Sequence, residues 1–145
     1  MDQMEIRYAG KEDFALLHSH DRHIRADELQ NSIEAKRVLV MLCGERLAGW
    51  LRYNLFWDSL PFLNMLYFFD AYRGKGYGGR LVRYWEQEMT RAGYREVLTS
   101  TLSSERGQFF FRKCGYTDCG SLLLPGEPSE LILRKDIISS RSGNI

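Results

Sequence analysis

Glycine supplies four of the six residues from Gly74 to Gly79, directly after an aromatic run and directly before the apolar periodicity of "RLVRYWEQEM". Such a segment predicts a turn that leads from a strand into a helix. Glycine permits positive φ angles and leaves backbone N–H groups uncovered, and a helix N-terminus attracts anions. The segment therefore predicts a binding site for phosphate oxygens, to which Arg73 and Lys75 add positive charge. A tight structural turn is the alternative.

The kind of phosphate compound is a separate question. The letters "GKGYGG" satisfy GxGxxG, the fingerprint of dinucleotide sites, but that match is weak by itself. A dinucleotide site would follow the first strand of a parallel sheet, whereas this segment follows half of the chain and a predicted antiparallel meander. A Walker A loop is excluded because GK is not followed by Ser or Thr anywhere in the sequence.

Length and composition predict one domain over residues 1–145. We expect its core at about 5–135 and a frayed tail at 136–145, which has little to pack. The formal net charge is +1, so neither nucleic acid nor a membrane surface is indicated as a partner. The absence of a signal-like or membrane-spanning apolar segment predicts a cytoplasmic protein. Three cysteines without CxxC spacing predict reduced thiols rather than disulfides or a zinc site.

The period of the apolar residues changes along the chain and predicts an α/β fold with a mixed, mostly antiparallel sheet of about six or seven strands and about four helices. The predicted order is a strand, two helices, three strands, a helix, a strand, a helix and two strands. Leu81, Val82, Trp85 and Met89 form the buried stripe of the helix after the glycines. Ser103 or Ser104 is predicted to cap the last helix.

Two motifs resemble the GNAT family of N-acetyltransferases. The segment "RGKGYG" matches RxxGxG through Arg73, Gly76 and Gly78, and "FFFRKCGY" is similar to the later FYxKxGF segment of that family. The resemblance covers roughly residues 5–135 and implies transfer of an acetyl group from acetyl-CoA. It also implies that a splayed strand before the glycines pairs with the pantetheine arm, and that an amide near Phe68 stabilises the thioester carbonyl. The implied contacts to acetyl-CoA are Tyr67, Phe68, Phe69, Arg73, Gly74, Lys75, Gly76, Tyr77, Gly78, Gly79, Ser104 and Phe111.

Acetyl transfer to an amine needs a base, because an ammonium cannot attack. The candidates are Asp58 and the histidines of "HSHDRHI", of which we favour His23. The HxHxxH pattern also raises the question of a metal, but on a helix His20 and His23 share a face while His18 does not, so no metal is predicted. Solvated histidines, and a plain turn at Asp58, are the structural alternatives.

The resemblance departs from the family at two positions. Phe111 stands where many relatives have the tyrosine that protonates the thiolate, and Ser104 stands where an asparagine is common. Ser104 or water is the candidate acid. The expected function is an N-acetyltransferase acting on a primary amine of a small molecule or a protein. The alternative is a module that senses acetyl-CoA without turnover. The final hairpin could contribute to a homodimer interface.

Overall fold

The computed structural model describes residues 3–138 and contains the predicted elements in the predicted order. The strands are β1 Met4–Tyr8, β2 Val38–Cys43, β3 Arg46–Phe56, β4 Leu60–Phe68, β5 Glu96–Leu102, β6 Thr117–Leu122 and β7 Glu130–Asp136. The helices are α1 Phe14–His20, α2 Ala26–Glu34, α3 Tyr77–Arg91 and α4 Gly107–Lys113, with short 3-10 turns at Lys11–Asp13 and Asp70–Tyr72. The fold class predicted from the sequence is confirmed.

The strands form one seven-stranded sheet in the order β1-β2-β3-β4-β5-β7-β6. The β1–β2, β2–β3, β5–β7 and β6–β7 pairs are antiparallel, whereas β4 pairs with β5 in parallel. The parallel register comprises Phe62 with Leu98 and Leu63 with Thr99, both in the first half of β4. The hydroxyl of Thr99 donates a hydrogen bond of 3.0 Å to the carbonyl of Leu63, which fixes this register.

The described chain contains two compact units, and the first comprises residues 3–54 and 65–82. Its core forms where the apolar stripes of α1 and α2 pack against β2 and β3, and Leu17, Leu29 and Trp50 are each only 1% exposed. Leu29 and Ile33 lie on one face of α2, and both are buried. Helix α1 ends at His20 because Asp21 is extended and its N–H donates to the carbonyl of Leu17.

The second unit comprises residues 55–64 and 83–138. Trp85, Val97 and Leu133 are fully buried, which agrees with the predicted apolar stripe of α3 and with the runs of β5 and β7. Helix α3 ends at Arg91, Gly93 follows with a φ of +99°, and the N–H of Tyr94 donates to the carbonyl of Met89. This pattern is typical of a Schellman C-terminus.

The structure corrects the predicted cap of the last helix. Neither Ser103 nor Ser104 caps α4: the N-cap residue is Arg106, and no side chain caps the helix. Strand β7 extends to Asp136, next to the predicted core boundary of about 135, and the N–H of Ile137 donates to the carbonyl of Arg95. The rest of the predicted tail, 139–145, lies outside the described residues, and the single-domain assignment stays a prediction.

In residues 3–138, no helix combines the length and the hydropathy that crossing a membrane would require. The three cysteines are free thiols, as predicted.

Candidate functional site

The glycine segment forms a loop that leads directly into α3. Gly74 and Gly76 have φ angles of +73° and +86°, which side chains other than glycine rarely adopt. The N–H of Arg80 donates to the carbonyl of Gly76 at 3.2 Å, so Gly76 occupies the N-cap position of α3. The amides of the first helical turn, from Tyr77 to Gly79, therefore have no partner within the helix.

The glycines inside α3 distinguish an anion site from a plain turn. A Cβ atom built on Gly74 or Gly76 would meet no heavy atom within 4 Å, so the space over these residues is open, as it also is at the plain turn of Gly44. A turn also explains only the glycines with positive φ. Gly78 and Gly79 lie inside the helix, where each glycine costs about 1 kcal/mol relative to alanine. Small residues there leave the N-terminal amides accessible, which an anion site requires and a turn does not.

The end of β4 lies immediately before this loop. The N–H of Phe69 donates to the carbonyl of Ala48 on β3 at 3.0 Å. The N–H and C=O of one strand residue point to the same edge, and those of the next residue point to the other edge. The N–H and C=O of Phe68 therefore point away from β3. The carbonyl of Phe68 accepts a 2.6 Å hydrogen bond from Nε of Arg73. The resemblance implies that these groups pair with a cofactor, and that pairing stays a prediction.

An aromatic cluster supports this end of β4. The ring of Trp50 lies 4.9 Å from that of Tyr67 and 5.9 Å from that of Phe69, as measured between centroids. Gly49 permits the close approach of β3, since a Cβ there would lie 2.5 Å from the carbonyl oxygen of Tyr67. The aromatic side chains and the close approach of β3 therefore support the backbone at the end of β4.

The histidines are placed differently from the helical prediction. Helix α1 ends at His20, so His18 and His20 belong to the helix whereas His23 lies in the following bend. The prediction that His20 and His23 share a helical face is therefore wrong. All three side chains are exposed, and it is the ring of His20 that contacts Phe69, at 4.9 Å between centroids. Among residues 3–138, no three or more His, Cys, Asp or Glu side chains are grouped as metal ligands would be.

A buried ion pair, missed in the sequence, holds the bend that contains His23. Asp21 is 1% exposed, and its carboxylate accepts hydrogen bonds from Nε of Arg52 at 2.9 Å and from Nε1 of Trp50 at 3.2 Å. The same carboxylate accepts from the N–H of His23 at 3.2 Å. Asp21 and Arg52 are 31 residues apart, and no local pattern connects them. The ion pair therefore ties the segment between α1 and α2 to β3.

Asp58 lies in the second unit, in the turn that joins β3 to β4. Trp57 and Asp58 have φ angles of +56° and +61°, and the N–H of Ser59 donates to the carbonyl of Phe56. This is a two-residue hairpin turn with non-glycine residues at both left-handed positions. The Asp58 side chain is exposed, and Trp57 is 76% exposed.

The turn geometry predicts the effect of a glycine at position 58. Asp58→Gly is expected to raise the free energy of unfolding by about 0.5–1 kcal/mol, since relief of left-handed strain exceeds the added chain entropy. Urea denaturation measures the change, with Ser59→Gly, at a position without positive φ, as the control that should not stabilise. A stability loss in Asp58→Gly would contradict the turn assignment.

Ser104 and Phe111 belong to the second unit as well. Ser104 is exposed in the turn before α4. Phe111 is 6% exposed, and its ring packs edge-on against Tyr116 with the centroids 5.4 Å apart. Phe111 therefore packs within the second unit, and contact with a cofactor stays a prediction for both residues.

Tyr116, at the aromatic position of the second motif, belongs to a buried polar network. Its hydroxyl donates to Oε2 of Glu86 at 2.7 Å, and Nζ of Lys135 donates to Oε1 of the same carboxylate at 2.9 Å. Burial, and then the charge of Glu86, raise the pKa of Tyr116 far above its ordinary value, so the phenol stays protonated. Lys135 also donates to the carbonyl of Cys114 at 2.8 Å. The network therefore anchors the end of α4 to α3 and β7.

A polar groove of about 950 Å³ lies beside this network in the second unit. It contains none of the residues predicted for the site. Three of its cations already have carboxylate partners: Lys135 pairs with Glu86, Arg91 with Glu88 and Arg134 with Glu96. The groove therefore has little unpaired charge with which to select a ligand.

The family model for the acetyltransferase (GNAT) family matches residues 5–116. The chain belongs to the GNAT acetyltransferase family. No curated protein sequence gives a significant match.

Solved structures of acetyltransferases share the fold. A GNAT-family acetyltransferase from Bacillus cereus ATCC 10987 is 21% identical, with a TM-score of 0.75 over 92% of this chain and 97% of that one. The ribosomal-protein-S18-alanine N-acetyltransferase of Escherichia coli is 12% identical, with a TM-score of 0.77 over 93% and 94%. The protein yncA of Salmonella typhimurium, solved with its cofactor acetyl-CoA, is 20% identical, with a TM-score of 0.71 over 92% and 94%. At these identities the structural similarity establishes the fold alone. The GNAT family, to which the chain belongs, uses acetyl-CoA.

Proposed function

We propose that the protein is an N-acetyltransferase that moves an acetyl group from acetyl-CoA to a primary amine of a small molecule or a protein, by direct transfer in a ternary complex. The observation that carries the proposal is the loop at Gly74 and Gly76, which is open, has positive φ angles and presents the amides at the N-terminus of α3. Diphosphate oxygens fit this loop because they need several N–H donors and gain from the helix dipole.

The binding roles follow from the elements that precede and follow the loop. We assign the diphosphate to the amides from Gly74 to Gly79, with Arg73 and Lys75 as cations. We assign the pantetheine arm to the backbone edge at Tyr67, Phe68 and Phe69. The peptide groups of Phe68 support this role because they face away from β3, where the hydrogen bond of Phe69 to Ala48 fills the other edge.

The chemistry requires a base for the incoming ammonium and a donor for the thioester oxygen. Acetyl-CoA, when bound, supplies the activated acetyl carbon. The amide of Phe68 donates to the developing oxyanion, and a histidine of the α1–α2 segment removes the proton from the ammonium. His20 joins His23 as a candidate because its ring contacts Phe69. Asp58 and Ser104 stay candidates as base and acid, respectively.

A sensing module without turnover is the second candidate function. It is favoured by Phe111, which is buried against Tyr116 and has no hydroxyl to protonate a departing thiolate. A thiolate is nonetheless a good leaving group, because the reference pKa of a thiol is about 8.5. We therefore favour the enzyme, with water or Ser104 as the proton source.

Ligand-induced stabilisation and thiol release together test the proposal. We expect CoA and acetyl-CoA to raise the melting temperature more than NAD does, since only a specific ligand stabilises the folded state at low concentration. Acetyl-CoA mixed with a panel of amines, from polyamines to peptides with free N-termini, should release thiol in step with acetylated product measured by mass spectrometry. CoA binding without product for any amine would support the sensing module. Stabilisation by NAD alone would reject both functions.

A further inference from the structure

The side chain of Arg73 folds back along the end of β4. Its Nε donates to the carbonyl of Phe68 at 2.6 Å, and its Nη1 lies 2.8 Å from Oδ1 of Asp70. Its guanidinium carbon lies 5.0 Å from the centroid of the Tyr67 ring. Three groups therefore hold the guanidinium over the strand, although it is the cation expected to meet the diphosphate.

The carbonyl that Arg73 covers is on the edge where a pantetheine arm is expected. Phe69 directs its N–H to Ala48 on β3, so the carbonyl of Phe68 points to the opposite edge. Under the proposed function, this carbonyl accepts a hydrogen bond from an amide of the pantetheine arm. Arg73 and the arm consequently compete for one acceptor.

The contacts of Arg73 differ in how easily they are released. The side chain of Asp70 is 92% exposed and that of Arg73 is 52% exposed, so their ion pair contributes little. The hydrogen bond to Phe68 involves a charged donor and is the stronger contact. A diphosphate can replace both contacts, because it offers a guanidinium two charged acceptors. A neutral ligand offers no such replacement.

We propose that Arg73 is a specificity-determining residue that makes binding of the thioester arm depend on a diphosphate. A ligand with the diphosphate draws the guanidinium to the loop and frees the carbonyl of Phe68. A thioester without it, such as acyl-pantetheine, has to displace Arg73 without compensation. The protein thus selects acyl-CoA over thioesters carried on pantetheine alone. This inference rests on the proposed function and adds to it the reason for the choice of thioester.

The test compares S-acetylpantetheine with acetyl-CoA on the wild type and on Arg73→Ala, by calorimetric titration. Arg73→Ala is expected to strengthen S-acetylpantetheine binding about tenfold, which is the worth of one charged hydrogen bond. It is expected to weaken acetyl-CoA binding about tenfold, because the loss of two charged hydrogen bonds to the diphosphate, about a hundredfold, is partly offset by the freed carbonyl of Phe68. Lys75→Ala is the matched control, because it removes a cation from the same loop but not from Phe68. It should weaken acetyl-CoA binding and leave S-acetylpantetheine binding unchanged.

The outcomes separate the inference from the proposed function. If the wild type binds acetyl-CoA but Arg73→Ala binds S-acetylpantetheine no more tightly than the wild type does, Arg73 does not compete with the arm and the inference is overturned. The same conclusion follows if Lys75→Ala strengthens S-acetylpantetheine binding equally, since loss of charge alone would then explain the gain. If the wild type does not bind acetyl-CoA, the proposed function fails and the inference fails with it. Melting curves of both variants verify that they are folded.

Discussion

Asp21→Ala is expected to lower the free energy of unfolding by about 3–5 kcal/mol, because it leaves a buried guanidinium without its counter-ion. Arg52 is 6% exposed, and its Nε and Nη2 both donate to the carboxylate of Asp21, at 2.9 and 3.3 Å. The substitution also removes the acceptor for Nε1 of Trp50. Since domains of this size are stable by only about 5–15 kcal/mol, urea denaturation should show a large fall in the midpoint.

An exposed ion pair in the same unit provides the control. Arg25 and Asp27 lie 3.2 Å apart with side chains 82% and 60% exposed, so Asp27→Ala should cost no more than about 1 kcal/mol. A double variant, Asp21→Leu with Arg52→Met, should be more stable than Asp21→Ala because no charge stays buried alone, but less stable than the wild type because Nε1 of Trp50 still loses its acceptor. A cost for Asp21→Ala no greater than that for Asp27→Ala would show that the buried pair does not stabilise the fold.

The order of elements could be predicted from the sequence because each depends on a local period. The stripe of Leu81, Val82, Trp85 and Met89 is buried along α3, and Gly93 ends that helix with a positive φ. The glycine loop could be predicted for the same reason. Gly74 and Gly76 have positive φ angles and lie just before a helix. Both features depend only on neighbouring residues in the sequence.

Features that depend on distant residues could not be predicted. Helical spacing suggested that His23 continues α1, but the carboxylate of Asp21 is held by Arg52 on β3, and the helix ends before it. The hydrogen bond from Nε of Arg73 to the carbonyl of Phe68 is likewise a choice of side-chain conformation that sequence spacing does not specify. A serine before α4 suggested a cap, but the helix begins at Gly107, too far along the chain for Ser104 to reach that position.

Gly76→Ala is expected to weaken CoA binding about tenfold to a hundredfold. The Cβ atom would enter the open space over the N-terminus of α3, where the diphosphate is proposed to contact the backbone. Loss of one hydrogen bond to a charged group corresponds to about 1.5–3 kcal/mol, which gives this range of affinity. A φ of +86° also disfavours alanine, so stability should fall by about 1–2 kcal/mol.

Gly44→Ala separates the effect on binding from the effect on folding. Gly44 has a φ of +62° and, like Gly76, no heavy atom within 4 Å of the position that a Cβ would occupy, but it lies in the turn between β2 and β3. Both variants should lose similar stability, and only Gly76→Ala should lose affinity for CoA in calorimetric titrations. Equal CoA affinity in the two variants would mean that the amides at residue 76 do not hold a diphosphate. The positive φ angle alone would then explain why glycine is present at both positions.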